Sequence, residues 1–414
     1  MLDMIEGYSS HHSHKLGILS VHLGKKLGLD SKYLRDIFYA ALLHDIGEIA
    51  IADNILYNSK VLSKMQLINV WEHPVWGAEI AKKLPSLIYH KRSLTQRQIL
   101  DIWEHTIIGE EIARQVPSLD GAAFLIRWSH EWWDGSGYPD QLVWDQIPLG
   151  SQIINICDTY DALLNDRPYR KAFSNEDTLK EIKTFSGVQF NPELAEEFLS
   201  LQPGFEKLLS RLEREFNALL GEFLPTEKEL ASFSEDYIMV TLRVFARVID
   251  ARHAYTQTHS WRVANIGQEI GEAMKLPSKE IEEIRVAALL HDVGKVAISG
   301  LILDKPYYLS KKEFKLIHAH PLRSEEVIRR IPGLEKVAEI VAYHHERYDG
   351  LGYPRGLSGS DIPLASIILA VADAFDAMTS DRPYRKALTW EQALGEVERH
   401  AGDQFDPEVV KVVE

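Results

Sequence analysis

One stretch of this chain is written twice. "AALLHDIGEIAI" at residues 40–51 returns as "AALLHDVGKVAI" at residues 287–298, so the two histidines are offset by 291 − 44 = 247. The same offset pairs His12 with His259 and His73-Pro74 with His320-Pro321. Later pairs, "WWDGSGYP" (132–139) with "RYDGLGYP" (347–354) and "NDRPYRKAF" (165–173) with "SDRPYRKAL" (380–388), are offset by 215. The first copy therefore carries 247 − 215 = 32 extra residues. Their source is a local duplication, because "WEHPVWGAEIAKKLPSL" (71–87) recurs as "WEHTIIGEEIARQVPSL" (103–119). A repeat on this scale, in 414 residues, calls for two domains of similar architecture. We expect them at 1–200 and 235–414, with a helical linker over 201–234.

The periodicity is helical. In "KEIEEIRVAALLHDVGK" the apolar residues Ile281, Ile284, Ala288 and Leu289 share one face. "PLASIILAVADAFDAMTS" reads as a mostly buried helix opened by Pro363. Alternation of period two is scarce, and Gly and Pro gather in "DGLGYPRGLSGSDIP", a surface loop. The expected fold is all-α, two helical bundles joined by the linker. The second bundle has apolar helical sequence (236–251) ahead of His259, whereas few residues precede His12. We expect that helix to be truncated in the first copy or supplied by another segment, which keeps a homodimer open.

A formal charge of −15 argues against a nucleic-acid polymer as partner, since such binding needs a broad basic face. Cys157 stands alone, so no internal disulfide forms. That usage, with no export-type N-terminus and no long apolar run, leads us to expect a cytoplasmic protein without a membrane partner.

Five separated features in the second half carry metal-binding side chains: His259, His291-Asp292, His320, His344-His345 and Asp373. Imidazole and carboxylate suit borderline divalent ions. Seven donors exceed the needs of one ion, so two ions sharing a carboxylate is the natural reading, with Asp292 as the bridge. Any one buried His is usually a core residue held by a hydrogen bond; all of them in one order, before an Asp-Gly-x-Gly-Tyr-Pro loop, is a specific signal.

Residues 250–410 resemble the HD-GYP family, a branch of the HD metal-dependent phosphohydrolases. The motifs are "HSWRVA" (259–264), "HDVGK" (291–295), "HAHP" (318–321), "HHERYDGLGYP" (344–354), "VADAFDAMTSDRPYRKA" (371–387) and "GDQFDPEVV" (402–410). The resemblance implies an HD-type helical bundle and a cyclic dinucleotide substrate, cyclic di-GMP first and cyclic GMP-AMP as the alternative. The product would be linear pGpG, with further cleavage to GMP open. It makes His259, His291, Asp292, His320, His344, His345 and Asp373 ligands of two transition-metal ions, Fe or Mn ahead of Zn, Ni, Co or Mg. Asp292 and Lys295 would be catalytic, with hydroxide held between the ions as nucleophile. Lys295, Arg382 and Arg385 would face the phosphates, and Asp349, Gly350, Gly352, Tyr353 and Pro354 would shape the substrate pocket. Family members with three metals carry a Glu four residues before the first His. Tyr255 stands there, with His253 where an aspartate is expected, which favours two ions.

The first half reads as a degenerate copy. His12, His44, Asp45, His130 and Asp158 keep ligand positions, while Ser129 replaces one imidazole and Glu48 replaces the lysine. For the remaining histidine we prefer His73 over His105. One ion could still sit at His12, His44, Asp45 and Asp158, and we expect no catalysis there; this half would regulate, dimerise or bind a nucleotide uncut, with Arg167 and Arg170 retained for phosphates. A general HD nucleotide phosphohydrolase and a non-catalytic scaffold are the competing readings; the loop and the double His argue against the first, and the intact ligand set with Lys295 against the second.

Overall fold

The structure, a computed structural model, describes residues 11–47, 96–166, 171–224, 241–246, 249, 259–298, 300–303, 305, 308–331, 333–381 and 386–413. It divides into two compact units, Met1–Ser234 and Glu235–Glu414. Both are helical. Among the described residues there is no strand, only two isolated bridges, Ser186 with Phe190 and Ala401 with Phe405. Among the same residues no helix is long and apolar enough to cross a membrane.

The first unit is built around α1 (His12–Lys26), α2 (Ser31–Leu43), α3 (Gln96–Arg114), α4 (Asp120–Arg127) and α5 (Leu149–Leu164). Asp30 caps α2 by accepting a hydrogen bond from the Tyr33 amide at 2.9 Å. The apolar stripes of these helices meet in one core that includes Leu16, Leu19, Ile37, Ile126 and Ile154, all essentially inaccessible to solvent. Cys157 lies in that core, and its burial pushes the thiol up to about 12, so it is an inert space-filler. Three further helices follow, α6 (Asn175–Thr184), α7 (Pro192–Leu201) and α8 (Phe205–Leu209).

The expected linker turns out to belong largely to the first bundle. Phe205 in α8 is fully buried in the main core. In α9 (Leu212–Phe223), Leu219 and Phe223 pack with Ile18, Val21 and Phe38, while Leu212, Phe216 and Leu220 line the same contact. Each fully buried Leu or Phe contributes about 1.5–3 kcal/mol, so this face cannot be left to solvent. Residues 225–234 lie outside the described residues.

The packing of α9 also bears on what covers the start of α1. Trp261, early in its bundle, is covered by the Arg243 guanidinium at 4.2 Å from the ring. The matching position in the first copy is 261 − 247 = 14, and His14 is covered by Phe216 of α9, ring centroids 3.8 Å apart and stacked. A downstream helix of the same chain thus covers that position in the first unit.

In the second unit, α10 (His259–Ala273) packs on α11 (Ser278–Leu290) and on α16 (Leu364–Thr379), with α14 (His320–Ile328) and α15 (Glu335–Ala342) beside them. Between α11 and α14 come α12 (Gly300–Leu303) and α13 (Lys311–His318). The core is made by Val263, Ile284, Ala288, Val341, Ile368 and Ala372. Reciprocal capping by Ser310 and Glu313 starts α13, and by Thr389 and Gln392 starts α17 (Trp390–Arg399). A last helix, α18 (Pro407–Val413), closes the unit.

Candidate metal centre

All seven expected ligands of the second unit meet in one buried cluster. Their donor atoms fall into three overlapping groups, each within 4.8 Å: His259, His291 and Asp373; His291, Asp292 and His344; His320, His344 and His345. Helix ends do the gathering. His291 is the C-cap of α11 and Asp292 begins the following 3-10 turn, Val293–Ala297. His320 starts α14, His344 follows α15, and Asp373 projects from the middle of α16.

Three of the imidazoles are oriented by the same device. The Nδ1 atoms of His291, His320 and His344 lie 2.7, 2.7 and 2.6 Å from the carbonyl oxygens of Ala288, Ile317 and Val341, each three residues back. A carbonyl only accepts, so each Nδ1 carries the proton and each Nε2 presents a lone pair inward. The Nε2 atoms of His320 and His344 then face each other at 3.3 Å. Two lone pairs at that separation repel unless a cation lies beside them. His291 Nε2 and Asp292 Oδ1 are buried and make no hydrogen bond. Such atoms are costly when left unsatisfied. The donor set therefore fits divalent ions.

The electrostatics agree. Burial works to raise Asp292 and Asp373, but nearby His291 and, respectively, Lys295 and His259 hold both carboxyls well below the usual range. Burial lowers His320 and His345 well below the ordinary histidine value and brings His344 to about 4. Carboxylates stay ionised and these imidazoles stay neutral, the states ligation requires. Burial opposes charge on His259 as well, yet its bonds to Asp373 and Asp376 push it up to about 10.

Asp376 escaped the reading of the sequence. It accepts from His259 Nδ1 at 2.7 Å and is held in turn by Arg262 Nη2 at 3.0 Å, leaving His259 Nε2 to point at Asp373, 3.4 Å away. The signal was available: an Asp three residues after the ligand Asp recurs as Asp158 and Asp161 in the first copy, and His12 Nδ1 again lies 2.7 Å from Asp161. Replacing Asp376 by Asn keeps the shape and removes the charge that orients His259. We expect metal affinity to fall by about 10–100-fold with the fold intact. Titration with Mn(II), beside a circular dichroism melt, checks it.

Lys295, part-exposed, reaches Asp292 Oδ2 with its Nζ at 2.7 Å. The signature loop meets the cluster through Tyr353. Glu346, also missed in the sequence, is buried and accepts from the amides of Arg355 (2.7 Å) and Leu357 (3.0 Å), which pins the loop. Gly350 takes φ 77°, and a Cβ on Gly352 would lie 2.3 Å from the Arg347 nitrogen. Asp349 pairs with Arg347 at 2.6 Å rather than facing the cluster. Tyr353, followed by a cis bond to Pro354, leans on His345 and stacks on His318 with centroids 3.7 Å apart. Arg382 and Arg385, like Arg167 and Arg170, lie outside the described residues, as do Glu48, His253 and Tyr255.

The first unit repeats the arrangement, and His105 occupies the position matching His320. His105 Nε2 lies 3.4 Å from Asp45 Oδ1, as His320 Nε2 does from Asp292 Oδ1. The backbone agrees: a Cβ on Gly294 would meet the His320 carbonyl at 2.4 Å, and one on Gly47 would meet that of His105 at 1.9 Å. His73 lies outside the described residues.

A helical bundle that gathers imidazoles and carboxylates around a buried His-Asp pair defines a class, the HD-type metal-dependent phosphohydrolases. Comparison with known families agrees: one HD domain model matches residues 82–194 and 243–409, and another matches residues 10–102. The chain belongs to the HD domain family, in its HD-GYP branch. A 3'3'-cGAMP-specific phosphodiesterase 3 of Vibrio cholerae is 30% identical over 98% of this chain and 90% of its own length. A cyclic di-GMP phosphodiesterase of Thermotoga maritima is 39% identical over 45% of this chain and 51% of its own. Among solved structures, a cyclic GMP-AMP specific phosphodiesterase of V. cholerae, V-cGAP3, aligns with a TM-score of 0.61 at 27% identity, covering 100% of this chain and 94% of that one.

Proposed function

We propose that this chain is a cyclic dinucleotide phosphodiesterase whose working site is the seven-donor cluster of the second unit. The observation that carries the reading is the convergence of those donors beside Lys295 and the Tyr353 loop. Two bound divalent ions, Fe or Mn first, would acidify a water and offset the charge of an attacked phosphate. His259, His291 and Asp373 would hold one ion and His320, His344 and His345 the other, with Asp292 between them. The Lys295 ammonium, 2.7 Å from Asp292, stands where it can counter negative charge growing on the phosphoryl oxygens. Tyr353 and His318 form an aromatic wall on which the substrate can lean.

Cyclic di-GMP, cleaved to linear pGpG, is the substrate we favour, supported by the cyclic di-GMP phosphodiesterase of Thermotoga maritima that is 39% identical over 45% of this chain. Cyclic GMP-AMP is the second reading, supported by the relative that matches the whole tandem chain. Anaerobic protein loaded with Mn(II) or Fe(II) should linearise one or both. Turnover of neither, with the ions bound, would refute the proposal; the ratio of kcat/KM decides between them.

A further inference from the structure

The first unit has lost the lysine position and one imidazole, yet its remaining donors have not scattered. His12, His44 and Asp158 place ligand atoms within 4.8 Å of one another, and so do Asp45, His105 and His130. Each group is two imidazoles and one carboxylate, a set suited to a divalent transition metal such as Fe(II). The two groups are joined, since His44 Nε2 lies 2.9 Å from Asp45 Oδ2 while His105 and His130 approach Asp45 Oδ1 at 3.4 and 3.7 Å. His12, His44, Asp45 and His105 are buried. The lost imidazole has not left an opening: Ser129 Oγ is turned away, donating to the Ile126 carbonyl at 2.9 Å.

We propose that the first unit holds its own pair of divalent metal ions, one at His12, His44 and Asp158 and the other at Asp45, His105 and His130. The second ion depends on the local duplication, because α3, which carries His105, belongs to the duplicate copy at 103–119. One support is independent of the donor count: the contact between Asp161 and His12 keeps the orienting carboxylate that Asp376 gives His259. With Glu48 where the second copy has Lys295, the pair is a binding and bracing site, not a hydrolytic one. This holds whether or not the second unit is an enzyme.

The test is metal content of the full chain, stripped with chelator and reloaded with Mn(II) under anaerobic conditions. Unaltered protein should hold four ions. The triple variant His291→Ala, Asp292→Ala and His344→Ala, which takes a donor from every group of the second unit, should retain two, held in the first unit. His105→Ala should lower the count to three while cyclic dinucleotide turnover stays within about twofold of the parent. A residual count of one or none in the triple variant overturns the proposal, as does a full four ions in the His105 variant. The unaltered chain and the second-unit variant read the first unit even if the His105 variant fails to fold.

Discussion

Asp292→Ala should abolish turnover and halve the metal held by the second unit or empty it. Asp292 is the one carboxylate that approaches ligands of both groups, 3.4 Å from His291 Nε2 through Oδ2 and 3.4 Å from His320 Nε2 through Oδ1. Its loss takes a donor from each ion and leaves Lys295 without its partner. Removing a single preorganised electrostatic group costs about 10²–10³ in rate. Here the nucleophile goes as well, so the expected loss is at least about 10³-fold in kcat. Metal analysis of the same sample must fall with the activity. A variant that keeps both ions and more than about a tenth of the rate would show that Asp292 is not the bridge.

Lys295→Met should separate chemistry from binding. The side chain keeps its length and apolar stem, and the seven donors are untouched, so both ions should remain. Turnover should drop by about 10²–10³-fold, because the ammonium is the one described cation beside Asp292. If its work is on charge that grows during the reaction, the loss falls on kcat and leaves KM almost unchanged. A parallel rise in KM alone would make Lys295 a substrate anchor instead. The pair of variants is informative because one disturbs the metal and the other does not.

How much of this was legible beforehand divides along physical lines. Local signals were read correctly where the chemistry is local: the helical periods, the His-Asp pair at the end of a buried helix, and the glycine loop. The seven donors that meet in the second unit were legible as a set because the repeat writes most of them twice. What lay beyond the sequence was long-range. His73 and His105 sit in nearly identical words 32 residues apart, and the approach of Gly47 to the His105 backbone places His105 beside the His-Asp pair, while His73 lies outside the described residues. The stripe Leu212, Phe216, Leu219, Phe223 announces an amphipathic helix, but nothing in it says that its partner is Phe38. Asp376 and Glu346 were overlooked for a different reason. Neither needs to touch a metal, and each works by holding another group, His259 in one case and the loop amides in the other.

The conserved geometry of the two units also bears on how such a chain can diverge. The orienting Asp161, the glycine contact and the bridge-like Asp45 all persist in the first copy, although its lysine position is now Glu48. A carboxylate in that place would repel phosphate without removing a metal donor, so on this reading catalysis would be lost before the cage is. The second copy keeps Lys295 and all seven donors.

The most direct test of the central claim is anomalous diffraction from crystals of the full chain grown with Mn(II), read in the second unit. The account predicts two peaks about 3.5–4 Å apart, with Asp292 contacting both and Lys295 beside it. No peak there, or a single ion held without Asp292, would contradict it.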